Sequence, residues 1–363
     1  MIHCIIGTRA QLVKMAPVIR AIETRDWPLR LIHTGQHSES MQSLCKDFSI
    51  QTPWQAIIIS NEVNSIFKAT TWLIRLLWQV LFKSNKHIIK SQKGNDIILV
   101  HGDTFSTLLG AILGKRSHTK VAHIESGLRS HNIFNPFPEE LNRLATFRLT
   151  DIAFCPGEWA YNNIKKYRKI ERINTEHNTL LDSLRLALKS CDSKNNNQEI
   201  QKYAVCSLHR FENLFHKKRL IKIIKLLEIA SEQYPLIFIL HPATKKRLES
   251  TGLINELKRY NITFKDRTGY FEFIKLVSSC SFMITDGGSN QEELSYMGIP
   301  TLLMRKTTER QEGLNTNTVI CDYNTDTLKY FLNNLGNYRY DRIDYNNSPT
   351  EIILQRLSEF TDK

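Results

Sequence analysis

Residues 282–293, FMITDGGSNQEE, run from an apolar stretch into Asp286-Gly287-Gly288-Ser289 and then into charge. A strand ending at Asp286, a turn in which Gly287 and Gly288 bring the backbone close to a ligand, and a helix opening near Asn290 would aim several N–H groups at one anion. An ordinary helix start uses the same letters, so the stretch reads either way on its own. Other groups join it. Polar residues also follow β-like runs at Gly7-Thr8-Arg9, Thr34-Gly35-Gln36-His37, His101-Gly102-Asp103-Thr104, Glu125, Ser207-Leu208-His209-Arg210 and His241. Ligands of open α/β sheets gather beyond the carboxyl ends of strands, and a purely structural crevice has no need of so many titratable groups. Arg9 and Lys14 are a cationic pair that could hold a diphosphate or simply face solvent. Asp103, Glu125 and Glu139 are raw material for acid and base roles at a carbon and a hydroxyl. Glu139 and Arg143, four apart, would equally serve as a surface helix pair.

The elements that must position these groups are legible as alternation. IHCIIG, LRLIHTG, DIILVHGD, KVAHIE and DIAFCPG are separated by helix-like stretches, and YAVCSLH, PLIFILH, ITFKD, CSFMITD and PTLLMR repeat the arrangement after residue 203. Such alternation specifies parallel sheets with helices on both faces. A chain of 363 residues exceeds one ordinary core and suits two domains of roughly 170 to 180 residues. We therefore expect an α/β protein of two Rossmann-like halves with a cleft. The polar, Asn-rich residues 189–198 suit a linker, and the divisions taken are 1–175, 176–345 and 346–363, the last a helical segment returning to the first domain. Pro17 is expected to start a new helix, which would leave Arg9 and Lys14 on a loop or short first turn.

The net charge of +13 favours anionic partners, but the basic residues are dispersed and follow no helix-turn-helix or zinc-finger spacing, so nucleic acid is not expected as a partner. Seven cysteines, scattered, odd in number and never in a Cys-x-x-Cys pair, read as reduced core residues of a cytoplasmic protein rather than a disulfide frame or metal site. The most apolar window, residues 66–82, contains Lys68 and Arg75 and is shorter than a membrane span requires; it reads as a buried or amphipathic helix, without membrane insertion. A strand-like run from residue 2 leaves no room for a secretion signal.

GTRAQLVKMAPV, TGQH, HGDT, HIESGLR, PFPEELNR, LHRFEN, DGGSNQEE and TTERQE occur in this order across residues 7–312. Together they resemble the non-hydrolysing UDP-N-acetylglucosamine 2-epimerase family. The resemblance implies the two-domain GT-B arrangement, a UDP-sugar in the inter-domain cleft, no added cofactor, a homodimer, and inversion at C2 by elimination and re-addition of UDP. On matching positions, Arg9, His209, Gly287, Gly288, Ser289 and Arg310 would hold the diphosphate, Glu293 the ribose and Phe273 the uracil region. Asp103, Glu125 and Glu139 would be the catalytic carboxylates, Asp103 the first choice for the C2 base, with His209 in the catalytic set and Lys14 supporting the sugar end.

The departures carry expectations too. The family's Pro-Glu is Ala10-Gln11 here, as in the branch acting on UDP-linked 2,3-diacetamido-2,3-dideoxyglucuronate, and Gln11 near the sugar would repel an anionic sugar less. Gln36, Arg210 and His241 match positions at which a second UDP-sugar activates bacterial members, although Glu39 replaces a neutral amide and residues 61–65 lack an Arg-Gln pair. A hydrolysing relative and a GT-B glycosyltransferase are the alternatives; the intact GLR and PEE blocks favour retention of UDP.

Overall fold

A computed structural model describes residues 1–34, 38–56, 96–133, 138–192, 202–308, 310–342 and 346–361, without the side chains of 38–40, 191 and 192. The expected helix at 66–82 and Gln36 lie outside the described residues. The chain divides into residues 1–183 with 346–363, and residues 184–345.

In the first unit, β1 (Ile2–Ile6), β2 (Leu29–His33), β3 (Trp54–Ala56), β4 (Ile97–His101), β5 (Lys120–Ile124), β6 (Ile152–Cys155) and β7 (Glu171–Asn174) form a parallel sheet in the order β3-β2-β1-β4-β5-β6-β7. β1 and β4 are buried along their whole length, as central parallel strands covered on both faces must be. Between the strands lie α1 (Arg9–Thr24), α2 (Ser38–Asp47), α3 (Phe105–Arg116), α4 (Glu139–Leu149) and α5 (Glu158–Asn163), followed by α6 (Leu180–Asp192).

Contrary to the sequence expectation, α1 runs unbroken through Pro17, and Lys14 sits inside it. A proline ring removes the bond to the carbonyl four residues back, here that of Val13. The Ser183 hydroxyl donates to that carbonyl at 2.6 Å. Leu12, Met15, Ala16, Val18, Ile19 and Ile22 bury the helix against the sheet, so apolar burial outweighs one lost backbone bond.

In the second unit, β8 (Ala204–Leu208), β9 (Leu236–Leu240), β10 (Ile262–Asp266), β11 (Phe282–Thr285), β12 (Thr301–Leu303) and β13 (Thr318–Ile320) form a parallel sheet in the order β10-β9-β8-β11-β12-β13. Its helices are α7 (Phe211–Leu214), α8 (Lys217–Gln233), α9 (Pro242–Ser250), α10 (Leu253–Leu257), α11 (Tyr270–Ser278), α12 (Gly288–Tyr296) and α13 (Thr325–Asn333). Phe238, Phe282 and Phe331 anchor its core. The terminal helix α14 (Pro349–Leu357) belongs to the first unit, where it packs on α1. Ser348 caps it, Pro349 opens it, and Arg356 forks onto Glu171 at 2.7 and 2.9 Å.

The two sheets share one topological property. Each builds outward on one side of its first strand and then crosses to the other, at β1/β4 in the first and β8/β11 in the second. Ligand crevices of doubly wound sheets form beyond such switch points. The loops there carry Gly7 to Arg9 and His101 to Asp103 in one unit, and His209, Arg210 and Asp286 to Ser289 in the other.

Candidate functional site

Gly7 turns the chain from β1 into α1 in contact with Ser106; a Cβ there would lie 1.8 Å from the Ser106 hydroxyl oxygen. Thr8 caps α1, and Gln11 Oε1 accepts the backbone N–H groups of Gly7 at 2.9 Å and Thr8 at 3.1 Å, closing a capping box. The Gln11 amide then reaches across the switch point, donating to the His101 carbonyl at 2.7 Å and to the Thr107 hydroxyl at 3.0 Å. Only 3% of Gln11 is exposed. Its hydrogen bonds go to the protein, so the Gln11 amide ties the turn after β1 to the end of β4. Arg9, the first residue of α1, is half-buried.

β4 and β5 end in two left-handed residues, Gly102 (φ +69°) and Glu125 (φ +60°), an unusual backbone for glutamate. His123 Nε2 donates to the Gly102 carbonyl at 2.7 Å. Lys14 Nζ lies 2.8 and 2.7 Å from the two Glu125 carboxylate oxygens, and His101 Nε2 lies 3.1 Å from Oε2. All three side chains are buried. Asp103 is more open; Arg143 Nη2 meets its Oδ2 at 2.5 Å, and the Asn142 amide holds its carbonyl at 3.0 Å. Arg143 also donates to Glu140, which is fully buried and collects Arg129 and the Ser130 N–H as well. Arg143 thus turns inward to Asp103 and Glu140 instead of forming the expected surface pair with Glu139. Burial alone would raise the Glu140 pKa, but the bonds from Arg129, Ser130 and Arg143 hold it below the usual range. Glu139 opens α4, half-buried.

Burial drives the His123 pKa down to about 4, against the weaker opposing pull of its Gly102 bond. The unfolded chain titrates this group near 6.5, so it binds more protons than the folded chain between those values. Stability is therefore expected to fall as pH drops from about 6.5 to 4, by up to about 3 kcal/mol from this group. Urea unfolding across that range checks it. His123→Gln, which keeps a donor for Gly102, should flatten the decline; an equally steep fall in that variant would assign the loss elsewhere.

In the second unit, Asp286 is fully buried and is a peg. Its carboxylate accepts the N–H groups of His209 (3.0 Å) and Arg210 (3.0 Å) and the Asn213 amide (2.9 Å), tying the β8 loop to the β11 loop. Helix α12 begins at Gly288, two residues before the position expected from the sequence, and no side chain caps its first turn. The backbone N–H groups of Gly288 and Ser289 are in that first turn. A Cβ on Gly287 would stand 2.9 Å from His209 Cε1, so glycine allows the imidazole to lie against the turn. The His209 ring stacks on His241 with centroids 4.6 Å apart, and 39% of its side chain is exposed. Desolvation lowers the His209 pKa, Asp286 opposes the shift, and Arg210 and Arg267 reinforce it. At neutral pH the ring is therefore a neutral hydrogen-bonding group.

Behind the turn Glu293 is buried, and Tyr270 is buried near it, its hydroxyl pKa raised by burial and then by the Glu293 charge. Arg310 donates to fully buried Glu292 at 2.7 Å. Thr308 and the Glu312 carbonyl pin their loop to Gln291 of α12, each at 2.8 Å. Phe273 is half-buried on α11, Arg210 precedes α7, and His241 precedes α9 with Ser207 3.4 Å from its Nε2. The structure thus groups Lys14, Glu125 and Asp103 around one switch point, and His209 with Gly287 to Ser289 around the other. Sequence reasoning gave Arg143 only a surface pairing with Glu139 and assigned no role to Glu140, Asn213 or Tyr270. Arg143, Glu140 and Asn213 lie within PFPEELNR and LHRFEN, but nothing in the letters shows that Arg143 grips Asp103, that Glu140 backs Arg143 or that Asn213 grips Asp286.

Cys4, Cys45, Cys155, Cys206, Cys280 and Cys321 are buried and unpaired. Among the described residues no His, Cys, Asp and Glu cluster could hold a metal, and no helix is long and apolar enough to cross a membrane.

Paired switch-point crevices, one with an uncapped helix start beside a histidine and one with buried carboxylates, define a two-domain α/β enzyme of the GT-B class. Residues 20–347 match the family model described as UDP-N-acetylglucosamine 2-epimerase, and the chain belongs to that family of epimerases. A UDP-N-acetylglucosamine 2-epimerase of Methanococcus maripaludis is 34% identical over 332 residues, covering 88% of this chain and 87% of that one. The UDP-2,3-diacetamido-2,3-dideoxy-D-glucuronate 2-epimerase of Pseudomonas aeruginosa is 32% identical over 312 residues, covering 84% and 83%. The crystal structure of the Methanocaldococcus jannaschii enzyme in complex with UDP-GlcNAc and UDP superposes with a TM-score of 0.81 at 28% identity, over 99% of each chain.

Proposed function

We propose that this protein inverts C2 of a UDP-linked 2-acetamido sugar by eliminating UDP and adding it back. A base takes the C2 proton, the C1–oxygen bond breaks with its electron pair going to the diphosphate, and a C1=C2 double bond forms. UDP then returns to C1 while a proton is delivered to the opposite face of C2. The observation that carries this reading is Glu125, held in a left-handed backbone with Lys14 and His101 on its carboxylate. Titratable groups in direct contact can take up a proton and give it back.

Asp103 and Glu139 complete the set of carboxylates. Asp103 faces an arginine, which accepts no proton, whereas Glu125 faces a lysine and a histidine; this favours Glu125 over Asp103 as the group that exchanges the C2 proton. His209, the first turn of α12 at Gly287 to Ser289, Arg9 and Arg310 hold the diphosphate, Glu293 the ribose and Phe273 the uracil region. The Glu292 contact of Arg310 makes it a fixed cation rather than a swinging one. Retention of UDP is preferred to hydrolysis because the GLR and PEE blocks are intact and joined, Arg129 pairing with Glu140. The same reading makes the protein a cytoplasmic homodimer supplying precursors for surface polysaccharide.

Turnover of UDP-N-acetylglucosamine, or of its 2,3-diacetamido uronate counterpart, in deuterated water should place deuterium at C2 of the recovered UDP-sugar. NMR follows it. Epimerised product that keeps its original hydrogen would exclude elimination, and stoichiometric free UDP would establish hydrolysis.

A further inference from the structure

We propose that Arg143 and Glu140 are positioning residues that hold Asp103 by one carboxylate oxygen and in fixed relation to the Glu125 loop; this rests on the reading that Asp103 belongs to the catalytic carboxylates. An arginine facing a carboxylate frequently forks onto both of its oxygens. Arg143 does not. Its Nη2 donates to Asp103 Oδ2 at 2.5 Å, while its Nη1 donates to Glu140 Oε2 at 3.1 Å. The fork is thus split between two carboxylates, and among the described residues no hydrogen bond reaches Asp103 Oδ1. The Asp103 side chain is 29% exposed and that of Arg143 only 7%. A carboxylate that handles a proton on a substrate needs an open oxygen and a fixed direction. The split fork supplies both.

Glu140 is what splits it. The residue is fully buried, and its other bonds come from the loop after β5, where Arg129 Nε donates to Oε1 and the Ser130 N–H to Oε2 at 3.1 Å. That loop leaves β5 through Glu125. Arg143 cannot turn its second nitrogen to Asp103 without abandoning a buried carboxylate, and a buried charge that loses a partner is costly. Burial alone would lower the Arg143 pKa, but the Asp103 charge and then the Glu140 bond raise it, so the guanidinium stays charged. Asn142, between the two, donates its amide to the Asp103 carbonyl at 3.0 Å. Residues 140–143 of α4 therefore grip the loop bearing Asp103 and the loop that follows Glu125, and Glu139 opens the same helix. One turn sets three carboxylates against each other.

A double-mutant cycle tests this. Arg143→Lys keeps the charge but replaces the planar fork with one nitrogen, which cannot bridge Asp103 and Glu140 in a single geometry. Glu140→Gln keeps the shape but removes the charge that retains Nη1. Each is made alone and combined with Asp103→Asn, and kcat, KM, UDP affinity, C2 deuterium exchange and urea unfolding are measured. Misplacing a reacting group by about 1 Å costs on the order of 10²-fold, so each single variant should lose about tenfold or more in kcat and in exchange. KM and UDP affinity should stay within about twofold. Because both residues act through Asp103, either substitution should cost less than about twofold more once Asp103 is already Asn. If one positioning variant fails to fold, the other decides. Losses that multiply in full in the double variants, or wild-type kcat in folded protein whose stability alone has fallen, would overturn the inference while leaving the epimerase reading intact. Absence of C2 exchange in the wild type on every UDP-2-acetamido sugar would instead overturn the reading, and the inference with it.

Discussion

Glu125→Gln should lower turnover by about 10²-fold or more while UDP affinity changes little. The amide keeps the shape of the carboxylate but accepts no proton, and because Lys14 Nζ donates to both carboxylate oxygens, one of those bonds is replaced by an NH2 group facing the ammonium. Stability must be measured alongside, because the substitution strands a buried ammonium; removing one partner of a buried pair costs about 3–5 kcal/mol. The two effects can be separated. In the double variant Lys14→Met/Glu125→Gln the stranded charge is gone, so urea unfolding should recover much of the lost stability, whereas turnover should not recover. If activity returned with stability, Glu125 would be a structural residue. Activity within a few-fold of wild type in the single variant would remove it from the chemistry altogether.

The sheets were readable because β-branched and apolar runs alternate with helical stretches at a spacing that only covered parallel strands satisfy, and the polar residues at their ends marked the crevices. What the letters hid depends on partners distant in the chain. Pro17 reads as a helix start until Ser183, 170 positions from Val13, is seen to satisfy the carbonyl that proline leaves open. Gln11 reads as a sugar-facing substitution because its amide bonds to His101 and Thr107 span 90 and 96 positions. Arg143 was matched with Glu139 by helical spacing, yet Asp103, from another strand end, wins it. Local spacing says which groups can meet along one helix. It is silent about a stronger partner brought in by the sheet.

Asp286→Ala should be the most damaging change in the second unit, although the residue lies inside the glycine turn expected to bind phosphate. The fully buried carboxylate satisfies the N–H groups of His209 and Arg210 and the Asn213 amide at once. Each donor left unmatched costs about 1–3 kcal/mol, so a total loss of roughly 3–5 kcal/mol is expected after partial relaxation. Asn213 is also bonded to Tyr323 and the Met304 carbonyl, so the disturbance should spread along the edge of the β8/β11 crevice. Because the same bonds fix the loop bearing His209 beside Gly287, UDP affinity should fall by about tenfold or more in the fraction that remains folded. Ser289→Ala provides the contrast. It removes a hydroxyl from the first turn of α12 but leaves the Asp286 bonds in place, so it should leave stability nearly unchanged. Calorimetric titration with UDP and urea unfolding of both variants separate the peg from the cradle. Wild-type stability in Asp286→Ala would show that the two loops are held together by other means, and unchanged UDP affinity in the same variant would place the diphosphate away from this turn.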